Sequence, residues 1–140
     1  MPRRWTLARI APLAALVLLP ALARAQSSDS TEKAPKSTYF FVSLSCFNLD
    51  PNKMASYTSG IIQVERPEDF SDWDEVEKDI GAQAKDELRA NGAECLKLAA
   101  VVFRYDTRGE AVVGRRKQLA QRPSNVRGET FEFEYVDKGQ

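Results

Sequence analysis

Two cysteines, Cys46 and Cys95, and a dense set of carboxylates are the side chains of this 140-residue chain whose types could do chemistry. Histidine, the commonest general base near neutral pH, is absent from the sequence. Without an imidazole, neither a Ser-His-Asp nor a Cys-His nucleophile can be assembled. A Gly-rich phosphate loop and a Gly-x-Ser-x-Gly elbow are also missing. The remaining catalytic route is a carboxylate pair of the glycosidase kind. Glu65, Glu68, Asp69, Asp72 and Asp74 are the candidates, because they crowd one loop and the start of a helix. Asp69, Asp72 and Asp74 are also the kind of oxygen ligand calcium accepts, but an EF-hand loop needs Asp, Gly and Glu at fixed positions that this segment lacks. Helix capping and a solvated surface explain these acids more simply. The expectation is therefore a protein that is not an enzyme and carries neither cofactor nor metal.

The cysteines are too far apart in sequence for a Cys-x-x-Cys redox pair, and two Cys without His do not fill a zinc site. A structural disulfide is the expected use of such a pair in an oxidising compartment. The N-terminus supplies that compartment. Arg3, Arg4 and Arg9 precede an apolar stretch from Ile10 to Leu22, which closes on Ala23-Arg24-Ala25. A basic region, a short apolar region and small residues at −3 and −1 make a secretory signal over residues 1–25, cleaved to leave Gln26 first. A membrane-spanning helix would need about 20 apolar residues, and this run is shorter and interrupted by Pro12 and Pro20. Thr6 stands where the twin-arginine pattern wants a large apolar residue, so the general secretory route is expected. No Cys follows the cleavage point to take a lipid. These features predict a periplasmic or secreted protein without a membrane anchor.

Removing residues 1–25 takes away four of the 20 basic residues and none of the 20 acidic ones. The remaining excess of acid is the wrong sign for a non-specific nucleic-acid binder, so no nucleic-acid partner is expected. Charge is also segregated. Acids dominate from Glu65 to Glu87, opposed by Arg66, Lys78 and Lys85. Bases dominate from Arg104 to Arg127, opposed by Asp106 and Glu110. Either stretch could steer a partner protein, and the triplet Arg115, Arg116 and Lys117 is the natural binding candidate.

These residues need elements to position them. Residues 26–37 (QSSDSTEKAPKS) contain no large apolar side chain and are expected to be a disordered leader. The rest, 38–140, reads as a single α+β domain. Tyr39 to Phe47 alternates as a strand, with Phe40, Val42, Leu44 and Cys46 on one face. A second strand runs from Tyr57 to Val64, where Gly60 marks a bulge or a close backbone approach. Trp73, Val76, Ile80, Ala84 and Leu88 recur at spacings of three and four, which predicts a helix. Ser71 is its expected N-cap with Asp74 three residues on, and Asn91-Gly92 its stop. Cys95 to Tyr105 is a third strand, and Asp106-Thr107-Arg108-Gly109 resembles a hairpin turn into a fourth strand over Glu110 to Ala120. Thr130 to Val136 alternates as a fifth.

The predicted fold is thus an antiparallel sheet of about five strands in the order β-β-α-β-β-β, with one helix packed on one face. One helix would leave Tyr39, Phe41 and Phe47 on the opposite face as exposed aromatics available to a partner. The functional expectation is a periplasmic binding protein that recognises another envelope or secreted protein, as an inhibitor or immunity-type partner. An envelope stress or structural factor acting on peptidoglycan or the outer membrane is the alternative, and a carboxylate-dependent hydrolase the third.

Overall fold

The computed structural model describes residues 34–138. The predicted signal peptide, and the predicted leader as far as residue 33, lie outside the described residues. The first strand starts earlier than the sequence pattern suggested. β1 spans Lys36–Phe47, so Lys36 and Ser37, read as the end of the leader, are paired with Arg66 and Glu65. The elements that follow are β2 (Ala55–Ser59), β3 (Ile62–Arg66), α1 (Trp73–Ala90), β4 (Lys97–Tyr105), α2 (Arg108–Ala120) and β5 (Arg127–Phe131).

β1 is the spine of the sheet. One edge pairs antiparallel with β4 over nine residues, from Tyr39↔Tyr105 to Phe47↔Lys97. The other edge is shared, with β3 along its first half and β2 along its second. The registers show a bulge. Between the pairs Phe40↔Ile62 and Ser43↔Thr58, two residues of β1 oppose Ser59, Gly60 and Ile61. Thus the predicted second strand is one run bent at Gly60 into β2 and β3. The Ser59 hydroxyl, fully buried, repairs the ladder at this point. It accepts the Val42 N–H at 2.9 Å and donates to the Gly60 carbonyl at 2.8 Å. β5 pairs with β2 in parallel, Ala55↔Arg127 to Ser59↔Phe131, so the sheet is mixed and not purely antiparallel.

α1 covers the face carrying Phe40, Val42, Leu44 and Cys46. Val76, Ile80, Ala84 and Leu88 are buried there, and Trp73 packs against Phe40 with ring centroids 5.8 Å apart. Gly81 permits the close approach, because a Cβ at that position would meet Val102 Cγ2 at 3.3 Å. The helix begins at Trp73 with Asp72 at the N-cap and no side-chain capping bond, so the expected Ser71 cap is not formed. Its end follows expectation. Gly92 adopts φ 86°, its N–H donates to the Arg89 carbonyl at 3.0 Å, and the Ala93 N–H donates to the Leu88 carbonyl at 3.2 Å. These two bonds are a Schellman stop. The disulfide joins Cys46 to Cys95 with Cα atoms 5.3 Å apart, tying the end of β1 to the residues that enter β4.

The fourth predicted strand is a helix. Residues 108–120 form α2, and Asp106-Thr107-Arg108-Gly109 leads into it instead of turning a hairpin. The cause is a full capping box. The Thr107 hydroxyl accepts the Glu110 N–H at 3.2 Å, and the Glu110 carboxylate accepts the Thr107 N–H at 3.2 Å. α2 lies on the face opposite α1, over Phe41, Phe103 and Tyr105. Phe41 stacks on Phe103 at 4.7 Å and on Tyr105 at 5.9 Å, and Ala111 is fully buried. A methyl group at Gly114 would collide with the Tyr105 hydroxyl. The fifth predicted strand is shifted. β5 ends at Phe131, and residues 132–138 leave the ladder, with Phe133 and Tyr135 still packed on the main core.

Candidate binding site

A cleft of about 620 Å³ opens where the end of β3, the start of α1 and the C-terminal segment meet. Three elements bring its residues together. β3 delivers Glu65 and Arg66, the first turns of α1 present Asp72, Glu75, Val76 and Asp79, and the segment after β5 supplies Tyr135, Asp137 and Lys138. Pro67, Phe70, Val76 and Tyr135 give it an apolar floor, and carboxylates dominate the rim.

The C-terminal segment is held on this site by side chains and not by a strand ladder. The Gln83 amide donates to the Val136 carbonyl at 2.8 Å and accepts the Val136 N–H at 3.1 Å. Arg66 grips the Asp137 carboxylate with both terminal nitrogens, one of them at 2.6 Å from Oδ1. Lys138 Nζ lies 3.6 Å from Asp79 Oδ1. Arg66 also lies over the Phe70 ring, 5.3 Å from its centroid, while Phe70 meets Trp73 edge-on at 4.9 Å. The bond to Asp137 holds the Arg66 guanidinium above its ordinary pKa, against the opposing effect of burial. Burial is also the largest cause that pushes the Tyr135 phenol up to about 12, reinforced by the Asp137 and Asp79 carboxylates. Near neutral pH Tyr135 is therefore a neutral hydrogen-bonding wall of the cleft.

The acids singled out from sequence divide. Glu65 and Asp72 line the cleft, whereas Glu68, Asp69 and Asp74 are exposed and outside its lining. Among the described residues, no three acidic or cysteine side chains are disposed to hold a metal ion.

The basic candidates lie on the other side of the sheet, on α2. Arg116 and Lys117 are exposed. Arg115 is half-buried, and its Nε donates to the Ser59 carbonyl at 2.6 Å, closing the β2–β3 bulge from above. It is thus engaged within the fold. Among the aromatic candidates, Phe41 is fully buried beneath α2, which removes it from any contact surface. Tyr39 is half-buried and Phe47 is 41% exposed. The expectation that these three rings form an open face failed because a second helix covers that side. The sheet in consequence separates opposite charges. α1 carries Asp74, Glu75, Glu77, Asp79, Asp86 and Glu87 against Lys78, Lys85 and Arg89, whereas α2 carries Arg108, Arg115, Arg116 and Lys117 against Glu110.

Sequence reasoning missed Gln83, Tyr135, Asp137 and Lys138. Their partners lie 53 to 71 residues away for the Gln83–Val136 and Arg66–Asp137 contacts, so no local pattern reports them. It also missed α2, although Thr107-x-x-Glu110 is a visible local signal. Among the described residues no helix is long and apolar enough to cross a membrane. No family model matches the chain, and neither a curated protein nor a solved structure does.

Proposed function

We propose that this chain is an exported, non-catalytic binding protein that docks on another protein of the cell envelope, as an inhibitor or immunity-type partner. The observation that carries this reading is the placement of an acidic helix and a basic helix on opposite faces of one disulfide-tied sheet. Surfaces of opposite sign favour complementary partners and speed their encounter. The acidic side also has a cleft with an apolar floor, a combination that suits the stem and charged head of a Lys or Arg side chain. The absence of His agrees with a role in binding and not in proton-transfer chemistry.

The test is capture from envelope extract by three baits, namely the unaltered chain, Arg116→Glu/Lys117→Glu and Asp72→Lys/Glu75→Lys. Both double variants change exposed positions, so the fold should persist. One stoichiometric protein, released by salt and lost from one of the two variants, supports the reading and identifies the face. Equal recovery by all three baits refutes docking through the charged faces. A second reading is a structural factor on the envelope surface. It is favoured by the apolar end near the disulfide, where Phe47, Leu49 and Leu96 are 41%, 90% and 71% exposed. Co-sedimentation with purified sacculi or lipid vesicles, lost on Leu49→Asp/Leu96→Asp, would select it.

A further inference from the structure

The three ladder-forming edges of the sheet are not alike. β3 and β5 are five residues long, and their sequences, IQVER and RGETF, carry charged side chains. The C-terminal segment is also clasped to the end of β3 through Arg66 and Asp137. Short, charged or covered edges resist unwanted pairing. β4 is nine residues long, and its two charged side chains, Lys97 and Arg104, stand towards its ends. Its inner edge is paired with β1 through nine consecutive residues without a bulge, and among the described residues no strand pairs with its outer edge. Leu98 to Phe103 (LAAVVF) is wholly apolar, contains no Pro, and leaves Val101 54% exposed at its centre. An edge of this length and composition is a template for another strand.

We propose that the outer edge of β4 is a self-association surface, where a second copy of this chain adds its own β4 antiparallel about Val101. The sequence of the strand is self-complementary in that register. A twofold axis through Val101 sets Ala100 opposite Val102, Ala99 opposite Phe103, Leu98 opposite Arg104 and Lys97 opposite Tyr105. Val102 and Phe103 then face alanines, Val101 meets its own copy, Leu98 lies against the stem of Arg104, the Lys97 ammonium faces an aromatic ring, and no like charges oppose one another. The one internal charge, Arg104, is drawn to Glu77 on α1 at 3.0 Å, away from the line of the edge. A symmetric pair uses the same patch twice and closes on itself, so the assembly stops at two. It also removes LAAVVF from non-specific pairing. This surface is distinct from the cleft and from the exposed face of α2, and the proposal stands whether or not a separate partner docks there.

Sedimentation velocity on the exported chain between about 1 µM and about 1 mM tests the proposal. The unaltered chain should pass from monomer to dimer with rising concentration and form nothing larger. Val101→Lys places two ammonium groups together on the axis and should raise the dissociation constant by about 100-fold or more. The thermal midpoint of the Val101→Lys monomer should be nearly unchanged, because the position is more than half exposed. Val101→Cys supplies an independent reading of register, since mild oxidation should link two copies through residue 101. A monomer at every concentration overturns the proposal. So does a dimer that Val101→Lys leaves intact, or one that Val101→Cys does not cross-link.

Discussion

Reducing the bond between Cys46 and Cys95 should cost this domain a large part of its stability. The residues it joins are 49 apart in sequence, and β2, β3 and α1 all lie inside the loop it closes. For a loop of this length, the restriction of the unfolded chain is worth about 4 kcal/mol. A domain of about 100 residues unfolds with an entropy near 0.2 kcal/mol/K, so the midpoint should fall by about 15–20 °C. Thermal unfolding followed by circular dichroism, on oxidised chain, reduced chain and Cys46→Ala/Cys95→Ala, measures the change directly. The reduced and double-variant proteins should agree closely, because Cys46 is buried and alanine removes only a small side chain. A drop below about 5 °C, with both thiols titrated as free, would refute the chain-entropy reasoning. It would mean that the β1 and β4 segments already hold residues 46 and 95 together in the unfolded ensemble.

Arg115→Ala should destabilise the fold by about 2 kcal/mol in urea titration, because it strips a partner from the Ser59 carbonyl at the bulge. The neighbouring exposed Arg116→Ala should stay within about 0.5 kcal/mol, and equal losses at both positions would count against the Ser59 contact. Thr107→Ala removes the hydroxyl half of the α2 capping box and should cost about 1 kcal/mol, read from the same titration. The Tyr135 phenol has a higher pKa folded than unfolded, so its contribution to stability is complete below pH 10 and disappears as pH rises towards about 12. Urea midpoints at pH 9, 10 and 11 should therefore decline more steeply for the unaltered chain than for Tyr135→Phe; parallel declines would assign the loss to other groups.

Local residue patterns carried much of this fold. The 3.6-residue stripe from Trp73 to Leu88 put α1 where it is, since that spacing buries one face of a helix whatever lies beneath. Alternation over Tyr39 to Phe47 placed the core face of β1, Asn91-Gly92 stopped α1, Gly60 marked the bulge, and the two cysteines met. The α+β class followed from those elements. The Thr107-x-x-Glu110 box was equally local, but the run Glu110 to Ala120 has only a weak apolar stripe and follows residues that suit a turn. Tertiary structure decided the rest. Only the packing of Ala111 and Gly114 over Phe41 and Tyr105 shows that the second face of the sheet is covered and Phe41 enclosed. The parallel pairing of β5 with β2 depends on α2 carrying the chain across the sheet, which no pattern within either strand encodes. The cleft is tertiary in the same sense. Arg66 and Asp137 are separated by 71 residues, and a contact of that span is set by how whole elements stack, whereas caps and stripes are set by neighbours within one or two turns.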